Sequence, residues 1–373
     1  MKFVKNIIPM FSKYWIVLLI FLVLLVIFYF FCNPLLQPFS INSNSKSDIT
    51  TYIQQFNDKD HRIFPFRYFT DGSDNVLPIV AVTGPFRDDK AKHRFNEYKE
   101  KGIHIFGITA YKSFPNNKMF GEEEGEYERK DDFNYVGEIK NWLCCFSNKE
   151  TYGFSIFNNV VDISESDFYN AETEDKVKVK DKKYDFIYIC NKDDDKCPLK
   201  GWNAINRNFD LALKCFPILC NELQMKGLIV GRVGCGLEKE YGDKMEVVDW
   251  LDWHILQEKM RESKILFVPN VYDASPRVIA ECITKGVPVL MNRKILCGSK
   301  YITYETGELF TDEIDLKSAV TTLQNRMFKI SPKRWWSENY SQERSQKNLQ
   351  KFIADAFPGS DSLNKVDRVK FIL

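Results

Sequence analysis

The stretch Val271–Leu290, VYDASPRVIAECITKGVPVL, gathers residue types that grip a phosphorylated ligand. It follows the apolar run Ile265–Asn270 and opens with Asp273 in a short loop. Ser275 then reads as an N-cap and Pro276 as the first helical residue, with Arg277 and Val278 in the first turn. Pro276–Lys285 reads as helix, Gly286 ends it, and Val287–Asn292 reads as the next strand. A helix that starts at the carboxyl end of a strand exposes unpaired N–H groups and the positive end of its dipole, which suits a phosphate. Glu281, in the second turn, carries a carboxylate that can accept two ribose hydroxyls, a role acidic groups take in nucleotide pockets.

Cations for a diphosphate come earlier in the chain. Cys190-Asn191-Lys192 is followed by Lys200-Gly201-Trp202 and Asn206-Arg207. Lys200 and Arg207 are the first candidates and Lys192 the third, although each is also of the kind found as a solvated loop charge. The turn Gly231-Arg232-Val233-Gly234-Cys235-Gly236 is not GxGxxG, and such a turn serves as a tight connection as readily as a phosphate contact. Asp193-Asp194-Asp195 has an acid–x–acid spacing that could hold a divalent cation against a diphosphate. Only four His occur, with no HExxH, which argues against a zinc hydrolase.

Short apolar runs separated by amphipathic ones must position these groups. Pro78–Thr83 reads as strand, Asp88–Lys101 as helix stopped by Gly102, and Ile103–Thr109 as strand, a βαβ opening. The acidic stretch Glu122–Asp132 reads as a solvated loop, with weak strands near Trp142–Phe146 and Gly153–Val161. Glu172–Lys183, almost wholly charged, reads as a domain linker. Beyond it, strands are expected at Tyr184–Cys190, Leu228–Val233, Met245–Leu251, Ile265–Asn270 and Val287–Asn292. Helices are expected at Ala204–Gln224, interrupted at Pro217, and at Trp253–Lys264. Apolar strands without polar alternation, separated by helices, indicate parallel sheets covered on both faces, with ligands at the carboxyl ends of the strands.

Asp273, seven intervening residues, Glu281, and then Lys285-Gly286-Val287-Pro288-Val289 resemble the signature of the retaining GT-B glycosyltransferases of family 4. That signature is two acids separated by seven residues on strand–loop–helix, followed by small–x–G–x–P–V. The first acid is Asp where the family usually has Glu, and the loop reads Ala-Ser-Pro-Arg where Gly-Phe-Gly-Leu is common. The resemblance implies an α/β fold of two Rossmann-like domains (GT-B) facing a cleft. It implies a hexosyl- or pentosyltransferase that moves a sugar from a nucleotide diphosphate sugar to an acceptor hydroxyl on a glycan, lipid or protein-linked acceptor. Asp273 would approach the donor sugar, Ser275–Arg277 and Val278 would hold the phosphate, and Glu281 would bind ribose. Lys200 and Arg207, with Lys192, would neutralise the leaving diphosphate, so no cofactor or metal is required. Gly231 and Arg232 match the glycine-containing turn of the second nucleotide half, and Leu251 the place where backbone meets the base. The acceptor would lie near the turn of Thr83, Gly84 and Phe86, where His104 is either a contact or strand packing. Two rival readings are a metal-dependent GT-A transferase using Asp193 and Asp195, and a catalytically inactive glycan-binding membrane protein.

Residues 14–32, YWIVLLIFLVLLVIFYFFC, are uncharged and long enough to cross a bilayer core, and they lack a small-residue cleavage site. Lys2, Lys5 and Lys13 precede this run and the next basic residue is Lys46, which keeps residues 1–13 cytosolic. The expectation is a single-pass type II anchor, a stem over 33–60, and a catalytic part in the Golgi, endoplasmic reticulum or an equivalent compartment. The organisation then runs as an acceptor-side domain over 61–171, a linker over 172–183, a nucleotide-sugar domain over 184–340, and a helix crossing back within 341–373. Basic and acidic residues number 52 and 51 in a chain of 373, so no nucleic-acid partner is implied. Cys190, Cys215, Cys220 and Cys282 fall in core patterns and read as buried free thiols, and Cys144-Cys145 cannot readily bridge each other. The sequon Asn339-Tyr340-Ser341 suits a luminal placement.

Overall fold

The computed structural model describes residues 64–71, 73, 76–109, 114–115, 132–146, 159–172, 181–199, 201–273, 276–358 and 370–371. The expected anchor and stem, Lys200 and Ser275 lie outside the described residues. Among the described residues no helix is long and apolar enough to cross a membrane.

The first sheet begins with β1 (Phe66–Thr70), antiparallel to β2 (Val76–Val82). Three parallel strands follow in order, β3 (His104–Ile108), β4 (Asn141–Leu143) and β5 (Asn159–Val161). The βαβ opening is closed by a helix at Asp89–Glu100, where Asp88 caps by accepting from the Ala91 amide at 2.9 Å. Ala91, Phe95 and Tyr98 repeat at helical spacing and are buried. Phe95 and Tyr98 join Phe66, Phe86, Phe133 and Tyr135 in a continuous cluster of tilted and edge-on rings. Of the weak strand expected over 153–161, Asn159–Val161 form β5 and residues 153–158 lie outside the described residues.

The second sheet contains β6 (Tyr184–Ile189), β7 (Gly227–Val230), β8 (Met245–Val248), β9 (Ser263–Val268), β10 (Val289–Asn292) and β11 (Gly307–Phe310). All its pairings are parallel, in the order β11-β10-β9-β6-β7-β8. This is the doubly wound order of dinucleotide-binding folds, and the chain reverses its direction of winding between β6 and β9. The strands are buried apolar runs because helices cover both faces. The helix at Phe209–Phe216 passes into a π-helical turn at Pro217–Glu222, so the expected break at Pro217 is a widening instead. A proline lacks the N–H of the regular ladder, and the wider turn accommodates that loss.

A last strand, β12 (Lys370–Phe371), returns to the first sheet beside β1. Before it, the helix Gln342–Ala356 packs Leu349, Phe352 and Ile353 against Phe69, Ile79 and Phe106 of the first sheet. Burying three such side chains contributes roughly 1.5–3 kcal/mol each. The carboxyl ends of the two sheets meet where Phe146, just beyond β4, forms an antiparallel bridge with Cys297, just beyond β10.

Candidate active site

The winding reversal between β6 and β9 leaves a crevice at the carboxyl ends of the strands, and a cavity of about 290 Å³ occupies it. Ile189 and Asn191 line it from the end of β6, and Asn203 and Arg207 from the next helix and its C-cap. Pro276, Arg277, Val278 and Glu281 line it from the segment after β9. The remaining wall is Tyr169, Trp250, Trp253 and Leu256. Stretches separated by more than 100 residues in the chain therefore share one pocket.

Glu281 is 6% exposed, and its Oε1 accepts from the Tyr169 hydroxyl at 2.9 Å and from Trp253 Nε1 at 3.3 Å. The carboxylate is held by a helix, Arg277–Ile283, whose N-cap is Pro276 rather than an earlier residue. Arg277 is exposed at the start of that helix. Arg207 pairs with the buried carboxylate of Asp273, and Asn270 Nδ2 donates to the same carboxylate at 3.0 Å. Burial pushes the Arg207 guanidinium pKa down. Asp273 thus fixes the cation at the cavity wall and does not itself line the cavity. Two amides, from Asn208 and Asn292, donate to the Pro269 carbonyl at 3.1 and 3.2 Å and anchor the end of β9 behind the site.

The turn after β7 underlies the floor. Gly231 adopts φ +95°, and Arg232 is fully buried, with Nε and Nη2 directed at the Cys190 sulfur at 3.2 and 2.9 Å. Its guanidinium also stacks 4.2 Å above the Phe209 ring. Gly231 and Arg232 are structural supports of the loop that carries Asn191, not surfaces of the cavity. A disulfide joins Cys197 to Cys235 and ties that loop to the glycine turn. Seven other described cysteines are buried free thiols, among them Cys190, Cys215, Cys220 and Cys282. Burial pushes the last three up to about 12.

Other expected site residues meet different geometry. Lys192 pairs with Asp195 at 2.9 Å on the outside of the loop, away from the cavity lining. Asp193 turns inward and accepts from the amides of Asn203 and Ala204 at 2.7 and 2.9 Å. The two carboxylates of the Asp193/Asp195 pair therefore serve different partners, and among the described residues no cluster suited to a metal ion forms. Leu251 packs on the core of the second sheet while its neighbours Trp250 and Trp253 reach the cavity.

The acceptor-side residues are occupied by their own packing. Both the Thr83 amide and its hydroxyl donate to the Pro65 carbonyl, each at 2.9 Å. Gly84 is buried, and Phe86 sits in the aromatic cluster with its amide donating to the Tyr135 hydroxyl at 2.7 Å. His104 begins β3, opposite Ile79, whereas Thr83 follows the far end of β2, so parallel pairing puts them at opposite ends of the two strands. His104 instead stacks on Phe357 with ring centroids 4.1 Å apart, and burial pushes its pKa down to about 4.

Tyr169, Trp250 and Trp253 were not indicated by the motif. Trp250 and Trp253 remain 56% and 55% exposed, so they are large apolar faces turned to solvent at the cavity mouth. The pair of tryptophans in Asp249-Trp250-Leu251-Asp252-Trp253, directly after a strand, is the signal in the sequence that marks them. Tyr169 arrives on a strap between the two sheets that is fastened to the second. Its carbonyl accepts from Trp336 Nε1 at 2.8 Å, and nearby Asp167 accepts from Lys300 at 2.8 Å.

No family model matches the chain, and no curated protein matches it in sequence. Solved structures do match. TarM superposes with TM-score 0.51 and 12% identity, over 74% of this chain and 54% of that one. The pneumococcal O-GlcNAc transferase GtfA, solved with UDP and GlcNAc, superposes with TM-score 0.52 and 11% identity, over 84% of this chain and 60% of that one. Sucrose-phosphate synthase from Thermosynechococcus elongatus superposes with TM-score 0.50 and 12% identity, over 76% of this chain and 75% of that one. This chain spans little more than half the length of the first two. The likeness shows the fold: the described part has the GT-B architecture, with a wholly parallel second sheet and a first sheet that carries antiparallel strands at one edge.

Proposed function

We propose that this chain is a glycosyltransferase that moves a sugar from a nucleotide diphosphate sugar to an acceptor hydroxyl with retained configuration. The observation that carries the reading is the convergence of Glu281, Arg277 and the Asp273-held Arg207 on one cavity at the winding reversal of a doubly wound sheet. Departure of a diphosphate leaves oxocarbenium character on the sugar and negative charge on the leaving oxygens. Cations fixed in advance at those oxygens lower the barrier because they need no reorganisation. Arg207, pinned by Asp273, is such a cation, and Arg277 a second. Glu281 faces the hydroxyls of the nucleoside, and the exposed Trp250 and Trp253 offer faces to the base.

The reading extends to a type II membrane protein anchored by residues 14–32, with the catalytic part in a luminal or external compartment and a glycan or glycoconjugate as acceptor. The Cys197–Cys235 disulfide suits an oxidising compartment, and Asn339 of the sequon is exposed at a helix end.

Transfer of radiolabelled sugar from UDP-, GDP- and ADP-sugars tests the reading. Arg207→Ala should lower transfer by about a hundredfold, the scale of losing one charge-stabilising donor, and Glu281→Ala should lower it by about tenfold or more through weaker nucleotide binding, the scale of losing a hydrogen bond to a charged acceptor. Full activity in both variants would remove the site.

A further inference from the structure

The hydrogen bonds around Glu281 leave room for a ligand contact that lies outside the acid motif. Glu281 Oε1 already accepts two hydrogen bonds, from Tyr169 and Trp253, which fills its lone pairs. Among the described residues Oε2 accepts none. Glu281 has therefore one oxygen to offer, not two, and a vicinal diol has two hydroxyls to place.

The missing acceptor is beside it. Tyr169, which lines the same cavity, spends its only proton on Glu281, and its oxygen keeps a lone pair free to accept. Burial, reinforced by the Glu281 charge, raises the phenol pKa, so the group stays protonated and its polarity of donation is fixed. Its backbone is fixed as well, because the Tyr169 carbonyl is bound by the fully buried Trp336. We propose that Tyr169 is a direct ribose contact, accepting a hydrogen bond from one ribose hydroxyl while Glu281 Oε2 accepts from the other. This deepens the glycosyltransferase reading and rests on it. The ligand class is a ribonucleotide with both ribose hydroxyls intact. The strap between the two sheets thereby contributes a binding residue to the nucleotide half.

Calorimetric titration of the full chain in detergent with UDP, GDP and ADP tests the proposal, followed by the 2′-deoxy and 3′-deoxy forms of the nucleotide that binds. Sugar-free diphosphates keep the diol of a transferred sugar out of the measurement. The wild-type protein should bind the deoxy form lacking the Tyr169 partner about two- to tenfold more weakly, the scale of one neutral hydrogen bond, and the form lacking the Glu281 partner about ten- to a hundredfold more weakly, the scale of one to a charge. Tyr169→Phe should erase the penalty at one hydroxyl and keep it at the other, and Glu281→Gln should reduce the penalty at the second. A merely structural role for the phenol would weaken all the nucleotides alike and preserve both penalties, which overturns the proposal. Absence of binding by any of the three diphosphates to the wild-type protein would instead overturn the underlying nucleotide-site reading. An unliganded melting temperature for Tyr169→Phe within a degree or two of wild type would confirm that the comparison is between folded proteins.

Discussion

Gly231 lies so close to the end of β6 that a β-carbon on it would sit 2.7 Å from the Cys190 carbonyl oxygen and 2.8 Å from the Asn191 Cα. Both obstacles are backbone, and neither can swing aside. The φ of +95° adds a conformation that side chains of L-residues rarely adopt. Gly231→Ala should therefore cost about 2–4 kcal/mol in urea unfolding, strain and collision together. Nucleotide binding should weaken with it, because Asn191 lines the cavity.

The Cys197–Cys235 disulfide closes a loop with a sequence separation of 38 residues. In the chain-entropy account a loop of that size stabilises by about 3–4 kcal/mol. Cys197→Ser should lower the melting temperature by several degrees, and dithiothreitol should do the same to the wild-type protein. The reductant should leave the variant unchanged, since the seven other described cysteines are buried free thiols.

His104 couples stability to acid. Its folded pKa of about 4 lies below the unfolded value of about 6.5, so the unfolded chain binds the extra proton first. The stability that depends on neutral His104 is full above about pH 6.5 and is lost as the pH falls towards 4, up to about 3 kcal/mol. His104→Gln should flatten this slope. Urea midpoints of both proteins at pH 7, 5.5 and 4 give the difference, with the carboxylates cancelling between them.

The second sheet was readable because its strands are buried on both faces and stand out as apolar runs, as in Tyr184–Ile189 and Val289–Asn292. The stretch from Asp273 to Glu281 was readable for a related reason: a strand, a loop and a helix start leave punctuation at fixed positions. The parallel βαβ opening was readable too, and it already puts His104, at the start of β3, and Thr83, just past β2, at opposite ends of those strands. What spacing could not carry was which polar groups were already spent, as with Thr83 on Pro65 and Asp193 on the helix start at Asn203. Tyr169 escaped because it meets Glu281 from 112 residues away, a contact that no local pattern encodes. The disulfide had a faint trace, since Cys197 and Cys235 lie in loops while the free thiols largely lie in or beside strands and helices.

The helix Gln342–Ala356 supplies part of the apolar cover of the first sheet although it comes after every strand of the second. The first half is thus not a contiguous cassette. A gene fusion that exchanged residues 184–340 alone would have to preserve the seams at both of its ends. A stop codon before Gln342 would strip Phe69, Ile79 and Phe106 of their roof and expose an aggregation-prone face.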